Sequence, residues 1–435
     1  MKFRFHIKVS ARSGESYTCQ KRAAYYETAI ETLLASWSAA PLWLAMPRHR
    51  LLDVITPSLS VHAHHYAQQL DSWVRFCADV GGAVAFYVVV SKKDRRAFEV
   101  ATDRFAKIAQ VSVLLIENLV NATLQPPELR GILREHILLS NNPGTMTARR
   151  HSYQSAKKML GCLGAAQSDA HPSGDRGATW CLLTDSETRL IRPTSAAAML
   201  DAYQRRRTIL YNGNWQPKGY WRCVTQNDQA LLPNLPVNTS SWFLEAYAWF
   251  VERHVVAEFV RTAFPRIPQM ACDKNMLFAE GTLYAFIALT PAHRARYTLV
   301  ETSSYFGIHG LEAHVPKSMN YAGCSMGECI GGMLMNMSDA QLAATASLWR
   351  DNGLPTYTPR GNSFDERRWA AFFEASGVSI LSSPNFRGTD GGQARSILAF
   401  SDRKYPSHRG NGTANGQQAE VPREDRKGRT VMSLV

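Results

Sequence analysis

No apolar run in this 435-residue chain reaches the roughly 18–20 residues that a membrane-spanning helix needs, so helical insertion into a bilayer is not expected. The N-terminus lacks the apolar core of a signal peptide, and no secretory leader is expected from it. Cysteine is sparse: eight residues, at 19, 77, 162, 181, 223, 272, 324 and 329, form no dense framework. Scattered cysteines among apolar neighbours point to an intracellular, reducing compartment (cytoplasmic), with a virion as the alternative location. Catalytic signatures are also missing. There is no Walker A loop, no GxSxG, no HExxH, no kinase set, and no pair of carboxylates at a telling spacing. No internal repeat is evident.

Acidic residues are in deficit, with 36 Asp and Glu against 49 Lys and Arg, a formal charge of +13. Excess positive charge favours phosphate-rich partners but does not determine fold. Apolar content of 45% and charged content of 20% are those of a globular protein.

The pattern predicts a helix-rich mixed α/β (α+β) fold. Its central element is expected to be a buried helix near 241–264, SWFLEAYAWFVERHVVAEFVRTAF, stopped by Pro265. The apolar side chains there cover most of a helical cylinder, as in a core helix. Glu245, Glu252, Arg253, Glu258 and Arg261 are too many for a membrane span, since each charge at mid-bilayer costs about 2.5–3.5 kcal/mol. A small βαβ unit is expected over 83–116, where the apolar run AVAFYVVV precedes an amphipathic helix and a second apolar strand. The turn between strand and helix, Ser91-Lys92-Lys93-Asp94, lacks the glycines of a dinucleotide loop. Residues 179–183 and 189–191 read as a short hairpin.

Four regions are expected: an N-terminal α/β region at 1–140, a loop-rich linker at 141–177, a helix-rich core at 178–400, and a polar tail at 401–435. The linker carries a short basic helix that includes Lys157 and Lys158. The tail is too poor in apolar residues to offset its own ordering entropy.

Three basic stretches suggest contact with nucleic acid. Residues 2–9 alternate Phe3, Phe5, Ile7 and Val9 with a cationic face that includes Lys2, Arg4 and Lys8. Arg205, Arg206 and Arg207 end a helix. Trp215, Lys218, Tyr220, Trp221 and Arg222 then interleave rings and charges, the chemistry of a single-stranded site. These features suggest a non-catalytic, capsid- or nucleocapsid-like assembly protein. It would bind RNA rather than DNA, form homo-oligomers, and need no cofactor.

The alternative is an α/β enzyme. His309 and His314 are separated by four residues, and Cys324 and Cys329 repeat that spacing, so the four could hold zinc. Cys324 at a helix start could instead act as a nucleophile, favoured as thiolate by the helix dipole. Elsewhere, His62 and His64 flank Ala63, and Tyr66 follows. This resembles the metal-binding strand of HUH endonucleases, although in that family the tyrosine stands on a separate downstream helix. Read from the residues alone, the segment is the N-terminal turn of a helix with exposed histidines.

Overall fold

The computed structural model describes residues 50–125, 127–138, 146–166, 178–212, 220–238, 242–244, 249–270, 277–301, 304–305, 337–352, 356–357, 366–378 and 380–382. Its centre is a five-stranded sheet. In chain order the strands are β1 (Leu52–Pro57), β2 (Val84–Val90), β3 (Gln110–Leu115), β4 (Trp180–Leu183) and, later, β8 (Trp249–Glu252). They lie side by side as β3-β2-β1-β4-β8. The first four run parallel, and β8 closes the edge antiparallel to β4.

Alternation along each strand divides the interior into two cores. Ile55, Tyr87, Val89, Leu183 and Val251 join one, together with helices Met146–Gly164 (α5), Arg253–Ala263 (α8) and Ala279–Leu289 (α9). Val54, Phe86, Val88, Leu182 and Phe250 join the other, with helices Ala63–Phe76 (α1), Arg95–Thr102 (α2) and Ala196–Arg206 (α6). Burial on both faces explains why β2 is a continuous apolar run. Helices Ile116–Thr123 (α3), Pro127–Leu133 (α4) and Tyr220–Leu231 (α7) complete this part.

Two three-stranded sheets accompany it. In one, β5 (Thr188–Leu190) pairs antiparallel with β11 (Ile380–Ser382), which pairs parallel with β10 (Thr356–Tyr357). In the other, β6 (Thr208–Asn212) lies between β7 (Trp242–Leu244) and β9 (Thr298–Glu301). Helices Asp339–Asp351 (α10) and Glu366–Ser376 (α11) lie near the C-terminal end of the described residues. Ser338 and Gln341 form a reciprocal capping box at the start of α10.

The expected βαβ unit is present: β2 and β3 pair in parallel across α2. The expected central helix is not. Trp242–Leu244 and Trp249–Glu252 are strands, and only Arg253–Ala263 is helical within that stretch. A continuous apolar run suits a buried strand as well as a buried helix, and pairing with β4 decides the matter. The expected hairpin is also corrected, because β4 and β5 belong to different sheets. The turn at Ser60–His62 followed by α1 bears out the helical reading there, but of the expected exposed histidines only His64 is exposed; His62 is half-buried, and His65 and Tyr66 are buried.

Candidate active site

Strand order reverses beside β1: the chain moves outward through β2 and β3, then returns to the other flank of β1 as β4. The chain leaves β1 toward β2 and leaves β4 toward β8, so β1 and β4 flank a reversal of strand order, and open α/β sheets bind ligands at the carboxyl ends of strands at such a reversal. The ionisable side chains described next gather there.

Helix α5 crosses one face of the sheet at close range because residue 161 is a glycine. A Cβ on Gly161 would lie 2.6 Å from Val89 Cγ2 and 2.7 Å from Ile55 Cγ2. This approach brings Lys157 and Lys158 to the strand ends. Lys157 Nζ donates to the carbonyl of Ser58, just past β1, at 2.7 Å. It also sits 4.5 Å from the centre of the Tyr153 ring. The Tyr153 hydroxyl is 2.7 Å from Ser91 Oγ, just past β2. Burial pushes the Lys157 pKa down to about 8, against the pull of Asp94 and Glu117. Asp94 Oδ2 and Ser58 Oγ are buried with no hydrogen-bond partner among the described residues.

Lys158 turns to the β4 side. Its ammonium lies 3.0 Å from Asp185 Oδ1 and 2.9 Å from Glu280 Oε1. Burial alone would lower its pKa, but the two carboxylates outweigh that and hold it above the ordinary lysine value. Ser155 Oγ donates to Glu280 Oε2 and accepts from the Ala279 amide at 3.2 Å. Lys158 and Glu280 thus join α5 to the start of α9.

The turn carrying Asp185 is firmly held. Thr184 N donates to the Ile55 carbonyl at 2.9 Å, and Thr184 Oγ1 lies 2.8 Å from Thr56 Oγ1. Gln69 Nε2 donates to Thr184 Oγ1 at 3.0 Å. Arg189, only 2% exposed, donates to the carbonyls of Ser186 and Thr188 at 2.7 and 2.8 Å. Burial pulls its pKa down to about 10. Asp185 and Glu187 therefore stand two residues apart on an ordered turn directly after a buried strand.

The amino end of the sheet is different. There Asp53, fully buried, is clamped by Arg50 and Arg253. Glu252 receives Arg207 at 2.9 Å, Arg296 at 2.6 Å and His254 at 3.3 Å.

The residues expected to meet nucleic acid do not come together. Arg207 is half-buried and engaged by Glu252, with its guanidinium over Trp180, while Arg205 pairs with Asp201 on its own helix. Arg206 and Arg222 are exposed. Tyr220 and Trp221 open helix α7 rather than belonging to a surface loop. Lys2, Arg4, Lys8, Trp215 and Lys218 lie outside the described residues, as do Cys324, Cys329, His309 and His314 and with them the proposed zinc and thiol sites. Asp94, Asp185, Glu187 and Glu280 are not apparent as site residues in the sequence. The readable signal was an acidic pair at 185 and 187 immediately after an apolar strand.

No protein-family model matches the chain, and no curated protein sequence matches it. Solved structures similar to it include mouse xyloside xylosyltransferase 1 in its apo form, at 12% identity, with 64% of this chain and 94% of that one covered and a TM-score of 0.32. Core-mannan synthase A from Aspergillus fumigatus, in its Mn/GDP form, gives 8% identity, 59% and 73% coverage and a TM-score of 0.31. Residues 1–349 of S. aureus TarS give 11% identity, 82% and 90% coverage and a TM-score of 0.26. At these values the likeness assigns no activity to this chain. The capsid-like, virion-associated, RNA-binding expectation is overturned, since the similar structures are glycosyltransferases and not shell proteins. The positive charge that suggested it is partly internal: Arg50, Arg253, Arg207, Arg296 and Lys158 all pair with buried carboxylates.

Proposed function

We propose that this chain is an enzyme that takes a nucleoside-diphosphate donor at the carboxyl ends of β1, β2 and β4 and transfers a group from it. The observation that carries this reading is the divergence of Lys157 and Lys158. Adjacent on one helix, they reach opposite sides of the strand-order reversal, to Ser58 after β1 and to Asp185 after β4. Two ammonium groups then form the floor of the crevice in which a diphosphate would lie. Departure of a nucleoside diphosphate builds negative charge on the leaving oxygens. Fixed cations in a site shielded from water stabilise that charge without reorganising. Lys157 uses one of its three N–H donors on Ser58 and is largely protonated near neutral pH, given a pKa of about 8. Asp94 Oδ2 and Ser58 Oγ supply unused polar atoms on the β1–β2 side, suited to ribose or base N–H and O–H groups. Asp185, the most exposed carboxylate of the group, would orient the donor on the β4 side.

Glycosyl transfer from a nucleotide sugar is the member of this class represented among the similar structures, and it is the one to test. Mn accompanies GDP in the mannan synthase structure. Here, no group of three or more His, Cys, Asp or Glu side chains among the described residues could hold a metal ion. The Asp185 carboxylate already faces the Lys158 ammonium. These residues do not form a metal site of their own, and no step is assigned to one.

The test is a thermal-shift and donor-hydrolysis screen of the full chain with UDP, GDP and CDP and their sugar conjugates. One nucleoside diphosphate should raise the melting temperature by several degrees, the effect of about 2.7 kcal/mol of linkage at a hundred times Kd. Lys157→Met should abolish the shift. Absence of any nucleotide effect, or full binding by Lys157→Met, would overturn the reading.

A further inference from the structure

We infer that Lys158 occupies the cation position at the Asp185 carboxylate, so that the crevice binds its donor without a divalent ion. The inference deepens the nucleoside-diphosphate reading and rests on it for the identity of the ligand. The placement of Lys158 does not depend on that reading.

The ammonium is enclosed. Its side chain is 7% exposed, and carboxylates from two other parts of the chain approach it at 3.0 and 2.9 Å. Glu280 cannot be recruited by an ion from solvent, because its side chain is 3% exposed and its second oxygen accepts from Ser155 Oγ. Of the two carboxylates beside Lys158, Asp185 is the exposed one, at 38%. A magnesium or manganese ion bound to it would stand beside a fixed ammonium, and like charges that close disfavour one another strongly. Lysine also cannot leave easily. It is anchored through α5, whose approach to the sheet is set at Gly161 against Val89 and Ile55. Lys158 therefore offsets Asp185 where a metal ion otherwise would, and positive charge toward the donor's diphosphate comes from Lys157, both as permanent parts of the fold.

The direct measurement is a Mn2+ titration of the nucleotide-free protein followed by electron paramagnetic resonance. The wild-type chain should bind no stoichiometric Mn2+ tighter than about 1 mM, the weak end of protein sites for hard cations. Lys158→Gln removes the ammonium beside the Asp185 carboxylate and should gain a Mn2+ site tighter by about tenfold or more. The second measurement needs no variant. Affinity for the nucleoside diphosphate that stabilises the wild-type chain should agree within about threefold between chelator and Mn2+ buffers, a small free-energy difference. Stoichiometric Mn2+ binding by the wild type in the micromolar range would overturn the inference, as would loss of nucleotide binding in chelator. If Lys158→Gln does not fold, the two wild-type measurements decide. If no nucleotide binds and the wild type still excludes Mn2+, the donor reading fails while the cation placement stands.

Discussion

Thr282 on α9 donates its hydroxyl to the carboxylate of Asp228 on α7, and both side chains lie in the interior. Burial pushes the Asp228 pKa up to about 7, with the Thr282 bond opposing. The folded state therefore holds a proton that the unfolded chain releases near 4. Stability from this group is complete below about pH 4 and declines as the pH rises to about 7, above which the penalty is constant. Asp228→Asn should flatten the melting temperature across that window. It should also stabilise the protein at pH 8 by on the order of 2–4 kcal/mol. An unchanged pH profile in the variant would show that Asp228 titrates normally.

Asp53 tests the opposite end of the sheet. It is fully buried between Arg50 and Arg253, so Asp53→Ala leaves two guanidinium groups without their carboxylate. Breaking a buried pair from one side costs about 3–5 kcal/mol. Urea unfolding should show a loss of that size. A loss below about 1 kcal/mol, the range of exposed pairs, would mean that the cluster is solvated.

Cys162 on α5 and Cys181 on β4 form a disulfide, and Cys223 is also disulfide-bonded. The scattered cysteine spacing gives no sign of either bond. Peptide mapping without reductant should recover a Cys162–Cys181 cross-link. Replacing both with alanine should cost about 2–4 kcal/mol. Cys77 should resist alkylation until the protein unfolds, because burial pushes its thiol pKa up to about 11.

Gly161 and Gly164 separate two kinds of crowding. A Cβ at Gly161 meets branched methyls of Val89 and Ile55, on the two central strands. Gly161→Ala should cost about 1–3 kcal/mol and weaken nucleotide binding, since α5 must lift with both lysines. A Cβ at Gly164 meets the terminal methyl of Leu119, which can rotate away, so Gly164→Ala should cost less and leave binding nearly unchanged. Equal effects on nucleotide affinity would detach the helix–sheet spacing from the site.

Much of the parallel core could be read from the chain. The run at 84–90, the amphipathic helix after it and the strand at 110–115 follow local rules, because short connections keep neighbours together. Trp249–Glu252 did not follow them, since its strand state depends on pairing with Trp180–Leu183 far back in the chain. The site was hidden for the same reason. Lys157 and Lys158 look like one basic patch on a linker helix until the fold sends them to different strand ends. Glu280 joins them across more than a hundred residues, which no local window contains.

The antiparallel strand at the sheet's edge also sets an order of events during synthesis. Until Glu252 has left the ribosome, β4 is an open flank with unpaired amides and carbonyls, next to the turn that carries Asp185. A nascent chain paused before that point presents a sticky edge, which invites pairing with a neighbouring polypeptide. Pairing with Trp249–Glu252 thus takes β4 off the sheet's edge before the C-terminal third of the protein is complete.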